Sequence, residues 1–228
     1  MIKINILIPV YNEQATILEI IKKVEAAQLP AGAEKEIIII DDGSNDGTSA
    51  ILSTIKHHSV INHSENRGKG AAIRSGLEKA TGDIILIQDA DLEYNPDEYH
   101  KLLLPIINGE TKVVYGSRFL TKHQPRYKLL YFGNKLLSLV SSILYFQWIS
   151  DMETCYKVFS REALSGLTIK SNRFNLEPEI TAKLLRAGHK IKEVPISYQS
   201  RSFAQGKKIK WHDGLVAIWS LFKYRFFD

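Results

Sequence analysis

Cysteine is almost missing from this chain of 228 residues: Cys155 stands alone, so no internal disulfide can form. That composition suits a reducing compartment. No secretory leader is expected, because Met1–Pro9 alternates as a strand from the outset and has no apolar core followed by a small-residue cleavage site. The most apolar stretch, Leu129–Ile149, is broken by Gly133, Asn134, Lys135 and Gln147. Its longest uncharged run, Leu136–Ser150, is shorter than the ~20 residues a membrane-spanning helix needs. Repeats, low-complexity tracts and linkers are also missing. So is any helix-turn-helix, zinc-finger or RNA-binding signature, and no nucleic-acid partner is expected.

The charge present is unevenly placed. The net charge is +5, and positive residues collect after about residue 118; the stretch Arg201–Lys210 carries four of them and no acid. A basic surface of this kind faces acidic lipid head groups or phosphorylated substrates.

Residues 1–117 alternate between two patterns. Strand-like runs at Lys3–Ile8, Glu36–Ile40, Val60–Asn62, Ile84–Ile87 and Lys112–Tyr115 are separated by helical patterns at about Glu13–Ala27, Asp46–Lys56, Gly70–Ala80 and Pro96–Ile107. This predicts an α/β fold with a mostly parallel sheet covered by helices. Short connections bring the strand ends to one edge, where ligands of open α/β sheets bind.

Four strand ends carry polar motifs. Pro9-Val10-Tyr11-Asn12-Glu13 follows the first strand; Pro9 is expected to stop sheet pairing and Asn12 to cap the next helix. Asp41-Asp42-Gly43-Ser44 follows the second, with one acid facing the crevice, the other supporting the turn, and Ser44 or Asp46 capping the helix. Asn66-Arg67-Gly68-Lys69-Gly70 opens a helix, either as a close-approach turn or as a cradle in which backbone N–H groups around Gly70 meet a phosphate. Asp89-Ala90-Asp91-Leu92-Glu93 ends the strand that is apolar on both faces. Such acids alone are most often the solvated end of a strand; in a crevice they are ligands for a hard divalent cation.

The second half has a different texture. Leu129–Ile149 reads as a helix that lies in a membrane interface with Lys128 and Lys135 at head-group level, or as a buried or oligomer-forming helix. Asp151–Phe159 reads as a strand, Leu176–Ala187 as a helix stopped by Gly188, and Lys190–Tyr198 as a strand placed at a sheet edge by Pro195. From Trp211 to Phe227 the apolar residues recur at helical spacing among Lys223 and Arg225. That makes an amphipathic helix that docks on the domain, a partner or a membrane surface.

The order Pro-x-Tyr-Asn-Glu, Asp-Asp-Gly-Ser, Asn-x-Gly-x-Gly, Asp-Ala-Asp resembles the family-2 glycosyltransferases of the GT-A fold. The resemblance is closer to the branch containing dolichol-phosphate mannosyltransferase and bacterial polyprenyl-phosphate glycosyltransferases. Tyr115–Phe119, Asn175–Glu179, Glu193–Pro195, Arg201 and Gly206-Lys207-Lys208 extend it to residues 4–208. It implies a Rossmann-like GT-A catalytic domain over 1–210, with a nucleotide-sugar half to about 117 and an acceptor half from about 118, followed by a C-terminal amphipathic aromatic helix over 211–228.

The resemblance also implies an activity. A hexose would pass with inversion from GDP-mannose or a UDP-hexose to a polyprenyl or dolichyl phosphate at the cytoplasmic membrane face. The protein would be peripheral there, held directly or through a membrane-anchored partner. Mg²⁺ or Mn²⁺ would sit on Asp89, Asp91 and Glu93, neutralising the leaving diphosphate. Pro9, Tyr11, Glu13 and Asp42 would line the nucleoside pocket, with Asp89 and Gly70 near the phosphates. A lipid phosphate arrives already anionic and needs cations rather than a base; Arg118, Arg126, Lys135 and Arg201 are the candidates, and Asp89, Asp91 and Arg118 the catalytic set. Asp151 and Glu153 fall where hydroxyl-acceptor relatives place a base and are read here as structural or near the metal. Two alternatives stay open: transfer to a glycan hydroxyl, and a non-catalytic nucleotide-sugar-binding subunit that recruits a membrane partner.

Overall fold

A computed structural model describes residues 1–121, 125–202 and 211–227, with only the backbone of Trp211 and His212. Runs of isoleucine and leucine with few polar interruptions favour strands buried on both faces. Accordingly β1 (Ile2–Val10), β2 (Ala33–Asp41), β3 (Ser59–Asn62) and β4 (Ile84–Ile87) are parallel and carry much of the core. With β5 (Val113–Ser117), β6 (Lys157–Ser160) and β7 (Ile191–Pro195) they form one seven-stranded sheet in the order β3-β2-β1-β4-β6-β5-β7. Only β6 runs antiparallel to its neighbours. The expected mostly parallel sheet flanked by helices is the observed fold.

The helices are α1 (Ile17–Ala26), α2 (Thr48–Ser53), α3 (Lys69–Lys79), α4 (Tyr99–Ile107), α5 (Lys128–Tyr145), α6 (Arg161–Leu164), α7 (Leu176–Arg186) and α8 (Trp211–Phe226). Helix α1 buries Ile17, Ile20, Ile21 and Val24, one stripe at helical spacing. Strand β7 lies at the sheet edge, as Pro195 implied.

Several expectations are corrected. Pro9 does not end the sheet; it lies within β1 in register with Ile40. The Leu7 carbonyl accepts from Gln88 on the β4 side and the Val10 carbonyl from Asp42 on the β2 side. By alternation the Pro9 nitrogen faces the β4 side, beyond the last pair Leu7–Ile87, so no ladder bond is lost there. Asn12 is no helix cap: it sits at φ +53 with its side chain bonded to Asn45, and α1 starts only at Ile17 after Thr16. Ser44 does not cap α2, whereas Asp46 Oδ1 does accept from the Thr48 N–H. Residues 151–156 are not strand. Asp151 is bound to Arg118 and the Thr154 hydroxyl donates to the Gly116 carbonyl, which holds this segment against the end of β5. The motif Gly206-Lys207-Lys208 and the last residue, Asp228, lie outside the described residues.

Helix α5 inverts the usual amphipathic arrangement. Its buried face carries Ser138, Ser141 and Ser142 with Leu137 and Tyr145. Leu129, Phe132, Leu136, Leu139 and Ile143 repeat at 3–4 residue spacing on the exposed face, continued by Phe146 at 87% exposure. Two of these serines are held by the backbone: Ser138 and Ser142 Oγ accept from the Met152 and Ile149 N–H groups, respectively. Helix α8 packs against α5 and α7 and exposes Leu215, Trp219, Phe222 and Phe226. Among the described residues no helix is long and apolar enough to cross a membrane.

Candidate active site

The chain runs outward from β1 to β2 and β3, then crosses back to β4 on the other side of β1. The sheet therefore reverses its winding between β1 and β4, and a crevice opens at their carboxyl ends. Pro9–Glu13 and Asp89–Glu93 leave the sheet at that point. A cavity of about 340 Å³ is lined there by Pro9, Tyr11, Glu13, Asp42, Asp89, Asp91, Glu93, Arg118 and Arg201, together with Lys69, Glu153 and Glu177. A neighbouring cavity of about 640 Å³ shares Glu13, Asp91 and Arg201 and adds Arg126. Nine of the twelve predicted site residues thus line the first cavity, and Arg126 lines the second.

Opposite charges interlock across the floor. Asp89 Oδ1 lies 2.9 Å from the Lys69 ammonium, which also reaches Glu177 at 3.1 Å. The Arg201 guanidinium spans Glu13 at 2.9 Å and Asp91 at 2.9 Å. Glu93 sits behind, accepting from the Tyr198 hydroxyl at 2.6 Å and the Arg201 N–H at 2.7 Å, so it anchors the segment that delivers Arg201. Leu92 takes a left-handed conformation (φ +62), which lets Asp91 Oδ1 accept from the Glu93 N–H and close the turn.

This arrangement sorts the carboxylates. Burial raises Asp91, repulsion from Asp89 and Glu93 raises it further, and Arg201 offsets only part, leaving it at about 7. Burial also pushes Asp89 upward, but Lys69, a hydrogen bond from Cys155 and Arg201 hold it below its ordinary value. Burial of Lys69 is likewise outweighed by Asp89 and Glu177, which keep it firmly protonated. An excess of buried negative charge on hard oxygen donors fits a divalent cation such as Mg²⁺ or Mn²⁺.

Asp42 and Asp41 divide their work as expected. Asp41 accepts from the Ser44 N–H and the Ser49 hydroxyl and holds the turn. Asp42 borders the cavity, yet its two oxygens receive His63, the Asn66 amide and the Arg67 and Gly68 N–H groups. Four donors fill a carboxylate's acceptor positions, so Asp42 fixes the loop that opens α3 rather than presenting free oxygens. Gly70 does not line the cavity. A Cβ there would lie 2.2 Å from the Ser171 carbonyl oxygen, and the neighbouring Ala71 N–H donates to the Asn172 carbonyl. Gly68 and Gly70 serve the close approach of residues 171–173.

Arg118 is buried and forms a bidentate pair with Asp151, Nε to Oδ2 and Nη2 to Oδ1 both at 2.7 Å. Its guanidinium lies 5.0 Å from the Tyr198 ring centre. Arg126 is exposed, with Nη1 3.5 Å from the Ser200 carbonyl oxygen. Lys135 is not part of either cavity wall; it lies on α5 over the rings of Phe119 and Tyr131. Both Asp151 oxygens are taken up by Arg118, whose backbone N–H also donates to Oδ2. Glu153 lines the same cavity as Asp89 and Asp91, and its Oε1 is shut off from solvent and receives no hydrogen bond. Burial, then the charge of Glu177, pushes it up to about 7.

Sequence reasoning passed over Lys69 and Glu177. Lys69 stands between the two glycines that open α3, opposite the acidic strand end, a placement from which a cation facing the acids could have been inferred. Glu177, also paired with the fully buried Lys157 at 2.5 Å, belongs to the Asn-Leu-Glu-Pro-Glu motif but had no assigned role.

Residues 5–168 match the family model described as Glycosyl transferase family 2. A UDP-N-acetylglucosamine–dolichyl-phosphate N-acetylglucosaminyltransferase of Methanococcus voltae is 30% identical, covering 90% of this chain and 90% of that one. The dolichol-phosphate mannosyltransferase of Pyrococcus furiosus is 26% identical, and the match covers 90% of this chain but 59% of that protein. Among solved structures, the glucosyl-3-phosphoglycerate synthase of Mycobacterium tuberculosis, in complex with Mn²⁺, UDP and phosphoglyceric acid, superposes with a TM-score of 0.75. It is 22% identical and covers 100% of this chain and 80% of that one.

Proposed function

This chain belongs to glycosyl transferase family 2, and from that membership we propose that it moves a hexose, with inversion, from a nucleotide-diphosphate sugar to a polyprenyl or dolichyl phosphate. The observation that carries the reading is one cavity in which Asp89 and Asp91 face Arg118 and Arg201. The names of the archaeal relatives support the lipid-phosphate acceptor, and the UDP complex of the structural neighbour supports a nucleotide donor.

The donor enters between Pro9, Tyr11 and Glu13, where Tyr11 offers a ring for the base. Asp89 and Asp91 hold Mg²⁺ or Mn²⁺, with Glu93 behind them; the ion, when bound, neutralises charge on the departing diphosphate. Lys69 keeps Asp89 ionised and in place. Arg201, which bridges Glu13 and Asp91 in the cavity wall, would supply a cation for phosphate. Arg118 presents a rigid guanidinium because Asp151 grips two of its five N–H groups. The acceptor phosphate, already anionic, attacks the anomeric carbon opposite the leaving group without giving up a proton to the protein.

The exposed apolar stripe of α5, flanked by Lys128 and Lys135, together with α8, rests on an anionic membrane surface at its cytoplasmic face. An apolar face bordered by lysines suits the head-group boundary. The same surface brings the cavity to a lipid-borne acceptor.

One observation favours a second reading. The unpartnered Oε1 of Glu153, in a carboxyl raised to about 7, is poised as a general base for a hydroxyl acceptor. Purified protein, Mn²⁺, labelled GDP-mannose or UDP-sugars and polyprenyl phosphate test the first reading by formation of a lipid-linked sugar. Turnover with a glycan acceptor, abolished in Glu153→Gln, would establish the second instead.

A further inference from the structure

Helix α1 runs back against β1, so its C-terminal turn lies at the amino-terminal edge of the parallel strands, the edge away from the donor cavity. The chain leading into β3 reaches the same edge. There Glu25, on α1, meets two consecutive histidines in the bend before β3: His57 Nε2 and His58 Nε2 each lie 2.8 Å from the same carboxylate oxygen, Glu25 Oε1. Consecutive residues of an extended strand point to opposite faces; the bend at residues 57–58 turns both imidazoles to one point, with ring centres 4.2 Å apart. The three ligand atoms lie within 4.8 Å of one another. Lys35, the nearby cation, donates its Nζ to the Ala27 carbonyl at 2.6 Å instead of closing on Glu25. None of the three residues lines the donor cavity.

We propose that Glu25, His57 and His58 form a second metal site, for a late first-row dication such as Zn²⁺, that staples α1 to the chain entering the edge strand β3. Two imidazoles and one carboxylate are a three-ligand zinc set, leaving a fourth position for water. Ligand bonds of about 2.0–2.1 Å in a tetrahedron separate neighbouring ligand atoms by roughly 3.3 Å. The present 2.8 Å contacts therefore need to open by only about half an ångström, which the exposed His57 and the partly exposed Glu25 at the end of α1 allow. His57 is 66% exposed and His58 12%, so the ion has a path in and one imidazole already fixed. Donor chemistry separates the two sites: nitrogen ligands favour zinc over magnesium, and the carboxylates of Asp89 and Asp91 suit magnesium or manganese. The staple has a clear mechanical target, because β3 is short, lies at the sheet edge, and ends beside His63, which holds Asp42.

The test is calorimetric titration of the whole protein with ZnCl2 in excess Mg²⁺, with thermal unfolding alongside. Wild type should bind one equivalent and gain Tm. Glu25→Gln, His57→Ala and His58→Ala should each weaken binding at least about tenfold, while Asp91→Asn should leave it intact. Absence of zinc binding in wild type, full affinity in the triple variant, or loss of binding in Asp91→Asn would each overturn the proposal. These readouts do not depend on which acceptor or donor the enzyme uses.

Discussion

Glu153 links stability and chemistry in one side chain. Its carboxyl is raised from 4.5 to about 7, chiefly by burial and then by Glu177. A carboxyl raised in the folded state binds a proton there that the unfolded chain has released, so stability falls as pH rises from about 4.5 to 7. The full rise corresponds to at most about 3 kcal/mol at ~1.36 kcal/mol per pH unit. Glutamine keeps the shape and never ionises. Glu153→Gln should therefore be more stable than wild type by up to about 3 kcal/mol near pH 8, and nearly equal to it near pH 4. Urea unfolding at both pH values measures this, and taking the difference between variant and wild type cancels the titration of Asp91. An equal effect at both pH values, or a variant less stable near pH 8, would refute the burial argument. The same variant separates the mechanisms, since a lipid-phosphate enzyme keeps its turnover and a hydroxyl enzyme loses it.

Three further outcomes follow from packing. Arg118→Ala strands the fully buried Asp151 carboxylate and should cost about 3–5 kcal/mol in denaturant unfolding, much of it recovered when Asp151 is also made apolar. Gly70→Ala drives a methyl group against the Ser171 backbone oxygen and should cost about 1–3 kcal/mol by the same measurement. Phe132→Glu combined with Trp219→Glu should abolish flotation with anionic liposomes without lowering Tm, because both side chains are exposed; unchanged flotation would remove α5 and α8 as the membrane face.

The first half of the fold was legible because each parallel strand is a short apolar run closed by a polar motif, and parallel topology brings those motifs to one edge. That logic brought Asp89 and Asp91 to the crevice edge, while the family resemblance singled out Tyr11 and Asp42 beside them; all four line the cavity. Errors arose where a residue's local habit was overridden. Pro9 stays in β1 because its nitrogen faces an unpaired side, and Asn12 turns at positive φ to meet Asn45. The second half was less legible because its interactions span long separations. Arg118 finds Asp151 33 residues away, and Arg201 joins Asp91 across 110 and Glu13 across 188. No periodicity announces such pairs, nor the convergence of His57 and His58 on Glu25. The apolar run and the lysines of α5 were visible in the sequence; that its buried face would be serine was visible only once the backbone partners of Ser138 and Ser142 were known.

In the proposed reaction the acceptor brings its own negative charge to Arg118 and Arg201. This is tested most directly by offering the enzyme, with Mn²⁺ and labelled nucleotide sugars, a polyprenyl phosphate and the matching free polyprenol. The account predicts a lipid-linked sugar from the phosphate and none from the alcohol, with full retention of activity in Glu153→Gln. Transfer to the alcohol or to a glycan hydroxyl but not to the phosphate, lost in Glu153→Gln, would contradict it.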